Sequence, residues 1–308
     1  MRVQVAGIEL ANPVIAASGT FGYGVEFEEI VSLDRIGGLV TKGLSREPMA
    51  GNRAPRLIET AAGMINAIGL QNIGVEAFIE KKLPALRRYR SCAVIANVFG
   101  NSEKDYLAVI EKLNATEGIA AYELNASCPN TQHGGMVFGS DPGLLNDLVW
   151  RCKREAQRPL IVKLSPNVTS IAVMAACAEN AGADAVSLIN TFVSLSINIE
   201  TRRPRIRNIT GGLSGPAIKP IAVRMVWEAA RAVKIPVLGM GGITTPEDAV
   251  EFLLAGATAI QVGTASYADP RAVERIAHGL EHWCTRHHVA KVSDLIGKLD
   301  TTPQEDNR

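Results

Sequence analysis

The chain lacks a Cys-x-x-Cys pair, an apolar run near the ~18 residues that cross a bilayer, and an excess of charge of either sign. Each absence excludes something. Five cysteines (Cys92, Cys128, Cys152, Cys177 and Cys284) are odd in number and scattered, so neither a disulfide framework nor a zinc or iron–sulfur centre is expected on this chain, and a reducing cytosol suits them. The 32 basic residues face 31 acidic ones, which removes any overall electrostatic reason to expect nucleic acid or an anionic membrane as partner. Any anion must then be bound locally. Residues 1–7 contain no apolar h-region, and the expectation is a soluble, cytoplasmic protein.

What the chain does have is repetition. Short apolar runs, each closed by a small or polar residue, recur at residues 13–19, 37–43, 92–97, 119–125, 160–163, 185–191, 235–242 and 259–264. Continuous apolar runs of this length suit strands buried on both faces of a parallel sheet. Helical patterns lie between them at 75–89, 103–113, 142–155, 171–180, 218–233, 246–255 and 270–287. Helix starts are marked by Asp141-Pro142 and Asp269-Pro270, read as a cap followed by proline at the first helical position, and by Thr245-Pro246-Glu247-Asp248. Eight βα units in series make an α/β protein, a (β/α)8 TIM barrel, and 308 residues accommodate the ~250 that such a barrel takes. It is expected to fill residues 1–299 as one domain, with a short N-terminal β-hairpin at residues 2–10 turning on Gly7 and long loops over the C-terminal mouth. Residues 300–308 are expected to be a disordered tail.

In such a barrel the residues that close each strand converge on one mouth, where the active site lies. Here they are Ser18, Lys42, Asn97, Asn125, Lys163, Asn190 with Thr191, Gly241 with Gly242, and Gly263 with Thr264. This ring is polar and has no cluster of carboxylates or histidines, so it fits a ligand rich in hydrogen-bond acceptors and anionic groups and no metal is expected. Gly239-Met240-Gly241-Gly242-Ile243 and Gly263-Thr264, each just before a helix, offer the backbone amides of a phosphate cradle. Lys42 and Lys163 would be costly to desolvate at a barrel mouth without an anion. Flavin mononucleotide (FMN) satisfies all of these features, although tight βα turns use glycine for other reasons too.

The residues 123–135 are the least explicable by packing. An apolar run there ends in Asn125, Cys128, Pro129, Asn130, Gly134 and Gly135. A thiol can serve as base or nucleophile, each asparagine both donates and accepts hydrogen bonds, and proline stiffens the turn that presents them. A buried, inert cysteine is the plainer alternative. Two insertions, residues 52–72 and 193–215, the latter with Arg202, Arg203, Arg205 and Arg207, read as lids, partner surfaces or solvated loops.

The string Asn125-Ala126-Ser127-Cys128-Pro129-Asn130-Thr131, together with Thr41-Lys42-Gly43, Asn66-Ala67-Ile68-Gly69-Leu70-Gln71-Asn72, Lys163-Leu164-Ser165-Pro166, Asn190-Thr191 and Gly212-Leu213-Ser214-Gly215, resembles the dihydroorotate dehydrogenase family nearly end to end. Cysteine at position 128 resembles the soluble class 1 enzymes, and the continuation through Gly139 looks more like the class 1B catalytic subunit than the fumarate-using class 1A. The resemblance implies oxidation of (S)-dihydroorotate to orotate in pyrimidine (UMP) biosynthesis, with Cys128 taking the C5 proton while hydride passes from C6 to FMN. Cys128 then needs a lowered pKa or a proton-accepting neighbour, with Lys42 the nearest plausible cation. Carried over by position, Asn66, Ala67, Ile68, Gly69, Leu70, Asn125, Asn130, Asn190 and Thr191 hold substrate. Lys42 lies between substrate and flavin. FMN contacts fall on Ser18, Lys42, Gly43, Asn97, Asn125, Lys163, Ile189, Gly215, Gly241, Gly242, Gly263 and Thr264. The class 1B likeness further implies a homodimer flanked by two copies of a subunit carrying FAD and a 2Fe–2S cluster, which delivers electrons to NAD. Set against this are a class 1A-like, fumarate-dependent enzyme, an aldolase-type lyase using Lys163 as Schiff-base lysine, and a barrel that only binds.

Overall fold

The computed structural model describes residues 1–126 and 138–302. Strands β1 (Val3–Val5) and β2 (Ile8–Leu10) pair antiparallel as the expected hairpin. Their turn places Ala6 and Gly7 at φ 51° and 82°, the two positive values that a tight two-residue hairpin demands. Then follow β3 (Val14–Ala16), β4 (Gly38–Val40), β5 (Leu57–Thr60), β6 (Gly63–Asn66), β7 (Ala93–Val98), β8 (Ala121–Asn125), β9 (Leu160–Lys163) and β10 (Ala185–Leu188). The last group is β11 (Phe192–Leu195), β12 (Ile197–Asn198), β13 (Arg203–Pro204), β14 (Thr210–Ser214), β15 (Val237–Met240) and β16 (Ala259–Val262). Eight of these, β3, β4, β7, β8, β9, β10, β15 and β16, close into a barrel of parallel strands in chain order. All eight expected runs are the barrel strands. Each is buried on both faces, as its predominantly apolar pattern requires.

The outer layer is α1 (Val75–Lys81), α2 (Leu83–Leu86), α3 (Glu103–Asn114), α4 (Pro142–Glu155), α5 (Ile171–Asn180), α6 (Lys219–Ala232), α7 (Pro246–Leu254), α8 (Ala265–Ala268) and α9 (Ala272–Arg286). Side-chain caps fix several starts. Asp141 accepts from the Leu144 amide at 2.9 Å with Pro142 behind it, and Thr245 with Asp248 forms a complete capping box on α7. Two boundaries differ from expectation by more than one residue. The helix expected over 75–89 breaks at Lys82, because Pro84 has no amide to continue the ladder and disfavours helical geometry at Leu83. Asp269 does not cap α9: its amide closes α8 onto the Ala265 carbonyl, its side chain accepts from the Arg271 amide, and α9 begins at Ala272. Between β3 and β4 the connection contains two single-turn 3-10 helices, Val25–Phe27 and Leu33–Arg35.

The two insertions meet. Strands β5 and β6 from the first and β11 and β14 from the second form one antiparallel sheet in the order β11-β14-β6-β5, with Asn66 opposite Gly212 and Met64 opposite Ser214. Arg207 strengthens the union by donating through its amide to the Pro55 carbonyl (2.8 Å) and through Nε to the Ala54 carbonyl (3.1 Å). Arg203 pairs in the small β12–β13 hairpin.

Candidate active site

One cavity opens at the C-terminal ends of the barrel strands and runs beneath the insertion sheet. Its inner floor comes from the barrel itself. Asn97 is the penultimate residue of β7, Asn125 ends β8, Lys163 ends β9, Ile189 follows β10 across a cis Leu188–Ile189 peptide bond, and Gln261 lies on β16. Below them Glu123 is fully buried in the barrel. Its carboxylate accepts from Asn97 Nδ2 (2.8 Å), Ser187 Oγ (2.9 Å) and Gln261 Nε2 (2.7 Å), and Lys163 Nζ lies 3.8 Å away. A carboxylate so placed is tolerable only because donors and a cation surround it.

At one end three glycine turns converge. Gly215 follows β14, Gly241-Gly242 follow β15, and Gly263 with Thr264 follow β16 and lead into α8. They touch: a Cβ on Gly242 would stand 2.8 Å from the Gly215 carbonyl, and Thr264 Oγ1 donates to Ser214 Oγ at 2.9 Å. Gly241 and Gly242 have φ of 127° and 79°, which bare backbone adopts and a side chain resists. Behind this cradle Lys219 pairs with Asp248 (2.7 Å) and Glu251 (2.8 Å). The Asp248 carboxyl is raised by burial but held below its ordinary value overall by Lys219 and by the amides and hydroxyl of Thr244 and Thr245.

The outer rim is polar. Lys42 and Gly43 end the second barrel strand region, Ser18 the first, and Asn190 and Thr191 the sixth. Burial, and then the charge of Arg56, push the Lys42 ammonium below the ordinary lysine range, and among the described residues it makes no ion pair. From the first insertion come Asn66, Ile68, Gly69 and Leu70. Asn72 holds that loop from behind, donating to the Leu70 carbonyl at 2.8 Å while its Oδ1 accepts from the Gly74 amide. Asn125 is steadied by Tyr106, whose hydroxyl donates to its carbonyl at 2.9 Å.

The structure thus brings to one cavity Ser18, Lys42, Gly43, Asn66, Ile68, Gly69, Leu70, Asn97, Asn125, Lys163, Ile189, Asn190, Thr191, Gly215, Gly241, Gly242, Gly263 and Thr264. Ala67 is different. It is fully buried, its amide donates to the Arg56 carbonyl (2.7 Å) and its carbonyl accepts from Asn52 Nδ2 (2.9 Å), so neither backbone group faces a ligand. Cys128 and Asn130 lie outside the described residues. Sequence reading missed Glu123 and Gln261, and also Met64, Thr20 and Tyr267, which complete the wall. The missed signal was a polar residue inside an apolar run: Glu123 between Tyr122 and Leu124, Ser187 between Val186 and Leu188, Gln261 between Ile260 and Val262.

Two buried acceptors, Asn97 Oδ1 and Gln261 Oε1, have no hydrogen-bond partner among the described residues, and both belong to the cavity floor. Acceptors and an ammonium on the floor with a glycine cradle at one end fit a ring that offers N–H and carbonyl groups on a phosphorylated tail. No helix among the described residues is long and apolar enough to cross a membrane.

Barrel and cavity together define a TIM-barrel protein with a polar, glycine-edged cavity at its C-terminal mouth. The family model for dihydroorotate dehydrogenase matches residues 1–284, and the chain belongs to that family. It is 54% identical over 300 residues to the "Dihydroorotate dehydrogenase B (NAD(+)), catalytic subunit" of Pelobacter propionicus, covering 97% of this chain and 98% of that one. Identity to the protein of that name from Trichlorobacter lovleyi is 55%, with the same coverage. A relative from Solibacter usitatus, 60% identical over 299 residues (97% and 98%), is named "Putative dihydroorotate dehydrogenase A (fumarate)". Among solved structures, the DHODH of Eimeria tenella in complex with ferulenol superposes with a TM-score of 0.80 at 21% identity, covering 96% of this chain and 88% of that one, which supports the barrel fold. The family likeness drawn from the motifs therefore holds, and relatives at 54–55% identity carry the B-type name that the class 1B reading anticipated.

Proposed function

We propose that this chain is the FMN-dependent catalytic subunit of a dihydroorotate dehydrogenase, oxidising (S)-dihydroorotate to orotate in pyrimidine synthesis and passing the electrons through a partner subunit to NAD. The observation that carries this reading is the single cavity shared by the glycine cradle, the amide-and-lysine floor and the polar rim. The family to which the chain belongs supports it.

The chemistry supplied by bound FMN is acceptance of a hydride from substrate C6. The chain's own residues do the rest. Gly215, Gly241, Gly242, Gly263 and Thr264 hold the phosphate through backbone amides, a task for which the bare backbone of the four glycines leaves room. Asn97, Gln261 and Lys163 meet the polar edge of the ring, and Ser18, Gly43, Asn125 and Ile189 line its sides. Asn66, Asn125, Asn190, Thr191 and the loop 68–70 position the pyrimidine of the substrate, with Asn130 completing the amide set. Lys42, uncompensated and half-buried, binds the carboxylate and bridges substrate and cofactor. Cys128 holds the base position and removes the C5 proton, an assignment that rests on the family motif around it.

For the electron acceptor, the B-type names of relatives at 54–55% identity favour NAD, and the fumarate-type name of the relative at 60% is the alternative. The B-type reading puts FAD and a 2Fe–2S cluster on a partner subunit, with two such partners on a dimer of this chain. A cytoplasmic location follows from the same reading. The test is anaerobic spectroscopy of the FMN-loaded protein. Addition of dihydroorotate bleaches the visible band, fumarate does not restore it at a catalytic rate, and NAD restores it only when an FAD and iron–sulfur partner is present. A band indifferent to dihydroorotate refutes the substrate; rapid restoration by fumarate refutes the acceptor.

A further inference from the structure

We propose that Glu123 is a positioning residue that commits the cavity floor to recognising an imide edge, a ring N–H flanked by carbonyl oxygens. The proposal rests on the flavin reading above and adds to it a residue that makes no contact with the cavity itself.

Glu123 sits in the middle of β8 and draws one partner from each of four other barrel strands: Asn97 of β7, Lys163 of β9, Ser187 of β10 and Gln261 of β16. An ionised carboxylate only accepts hydrogen bonds. Each amide must therefore turn its NH2 group toward Glu123, at 2.8 Å for Asn97 and 2.7 Å for Gln261, and its carbonyl oxygen away from it. Those two oxygens are among the three buried side-chain atoms left without partners in the described residues, the third being Ser266 Oγ, and both amide residues line the cavity. Gly43 keeps one of them open, since a Cβ there would press to within 3.1 Å of Asn97 Oδ1. An amide left to itself can present either polarity; here both are fixed as acceptors. Beside them Lys163 presents a donor whose charge Glu123 balances from 3.8 Å. The floor is thus two acceptors and one donor, complementary to a ring edge carrying N–H beside C=O.

Two consequences separate this role from mere packing. Glu123→Gln places an NH2 group against one of the surrounding donors, so one floor amide turns over and offers a donor where an acceptor stood. It also leaves Lys163 without its counter-charge, which favours any additional negative charge on a ring bound above it. The variant and wild-type proteins, prepared without cofactor and titrated with FMN, are compared by flavin fluorescence quenching and by spectroelectrochemical midpoint potential. Glu123→Gln is expected to bind FMN at least tenfold more weakly and to shift its midpoint potential to a more positive value, whereas Glu123→Asp, which keeps the charge, retains the wild-type potential. A Glu123→Gln protein with wild-type affinity and potential overturns the proposal. If that variant does not fold, Gln261→Met removes one donor to Glu123 and one acceptor from the floor at nearly constant length; at least a tenfold loss of FMN affinity supports the assignment and unchanged affinity overturns it. A wild-type protein that binds no FMN overturns the flavin reading beneath it and the proposal with it, an outcome distinct from a bound flavin that ignores position 123.

Discussion

Replacing Gly242 by alanine tests whether the glycine cradle is shaped by ligand and backbone together. At φ 79° an alanine pays about 1–2 kcal/mol for left-handed geometry. Its Cβ would also stand 2.8 Å from the Gly215 carbonyl, 2.8 Å from Lys219 Cβ and 3.0 Å from the Lys219 amide. Two of those three atoms are backbone and cannot rotate away, so overpacking adds about 1–3 kcal/mol. The sum is about 2–5 kcal/mol. Gly7→Ala is the matching control, since Gly7 has φ 82° with nothing within 4 Å of the added Cβ and should lose only the conformational part. Urea denaturation of the two cofactor-free variants should place Gly242→Ala about 1–3 kcal/mol below Gly7→Ala. FMN titration should show at least a tenfold loss of affinity for Gly242→Ala and none for Gly7→Ala. Equal stabilities with equal affinities would refute both the packing argument and the placement of the phosphate at this turn.

Lys42 carries a pH prediction. Its lowered pKa means that the free enzyme loses this positive charge at a lower pH than an ordinary lysine, and a bound carboxylate, which favours the charged form, must work against that loss. KM for dihydroorotate should therefore rise as pH climbs through the depressed value, and Lys42→Met should show a high, pH-flat KM; an unchanged wild-type-like profile in the variant would refute the role. The thiols of Cys92 and Cys152 are pushed up to about 12, chiefly by burial. At pH 8 about one in 10,000 of each is thiolate, so native-state iodoacetamide labelling followed by peptide mass spectrometry should leave both unmodified while Cys128 reacts. Labelling of Cys92 or Cys152 at the rate of an exposed thiol would contradict their buried placement.

The barrel was legible because a strand buried on both faces is mostly apolar, and each run closed at a small or polar residue that now lines the cavity, as with Lys163 on β9 and Asn97 on β7. Helices α4 and α5 begin and end where their helical patterns place them, and Asp141-Pro142 marked the start of α4. What could not be read was pairing at long range. Nothing local in residues 63–66 announces that they will bond to residues 212–214, and the antiparallel sheet over the mouth follows from tertiary contact alone. Asp269-Pro270 misled because a four-residue helix precedes it and claims the aspartate as its own terminus. Glu123 was passed over because its neighbours are apolar; a charge in a strand buried on both faces is itself a demand for partners, and that demand is what Asn97, Ser187, Gln261 and Lys163 meet.

The sheet that joins the insertions has a consequence for how this barrel can be altered. Its middle strands, β6 and β14, come from opposite sides of the molecule, and each supplies the hydrogen-bonding edge that the other lacks. Transplanting either insertion alone into another barrel would leave a bare strand edge over the mouth, an invitation to pair with foreign chains. The two segments are therefore a single inheritable module written in two places in the gene: homologues or chimaeras should exchange them together or not at all.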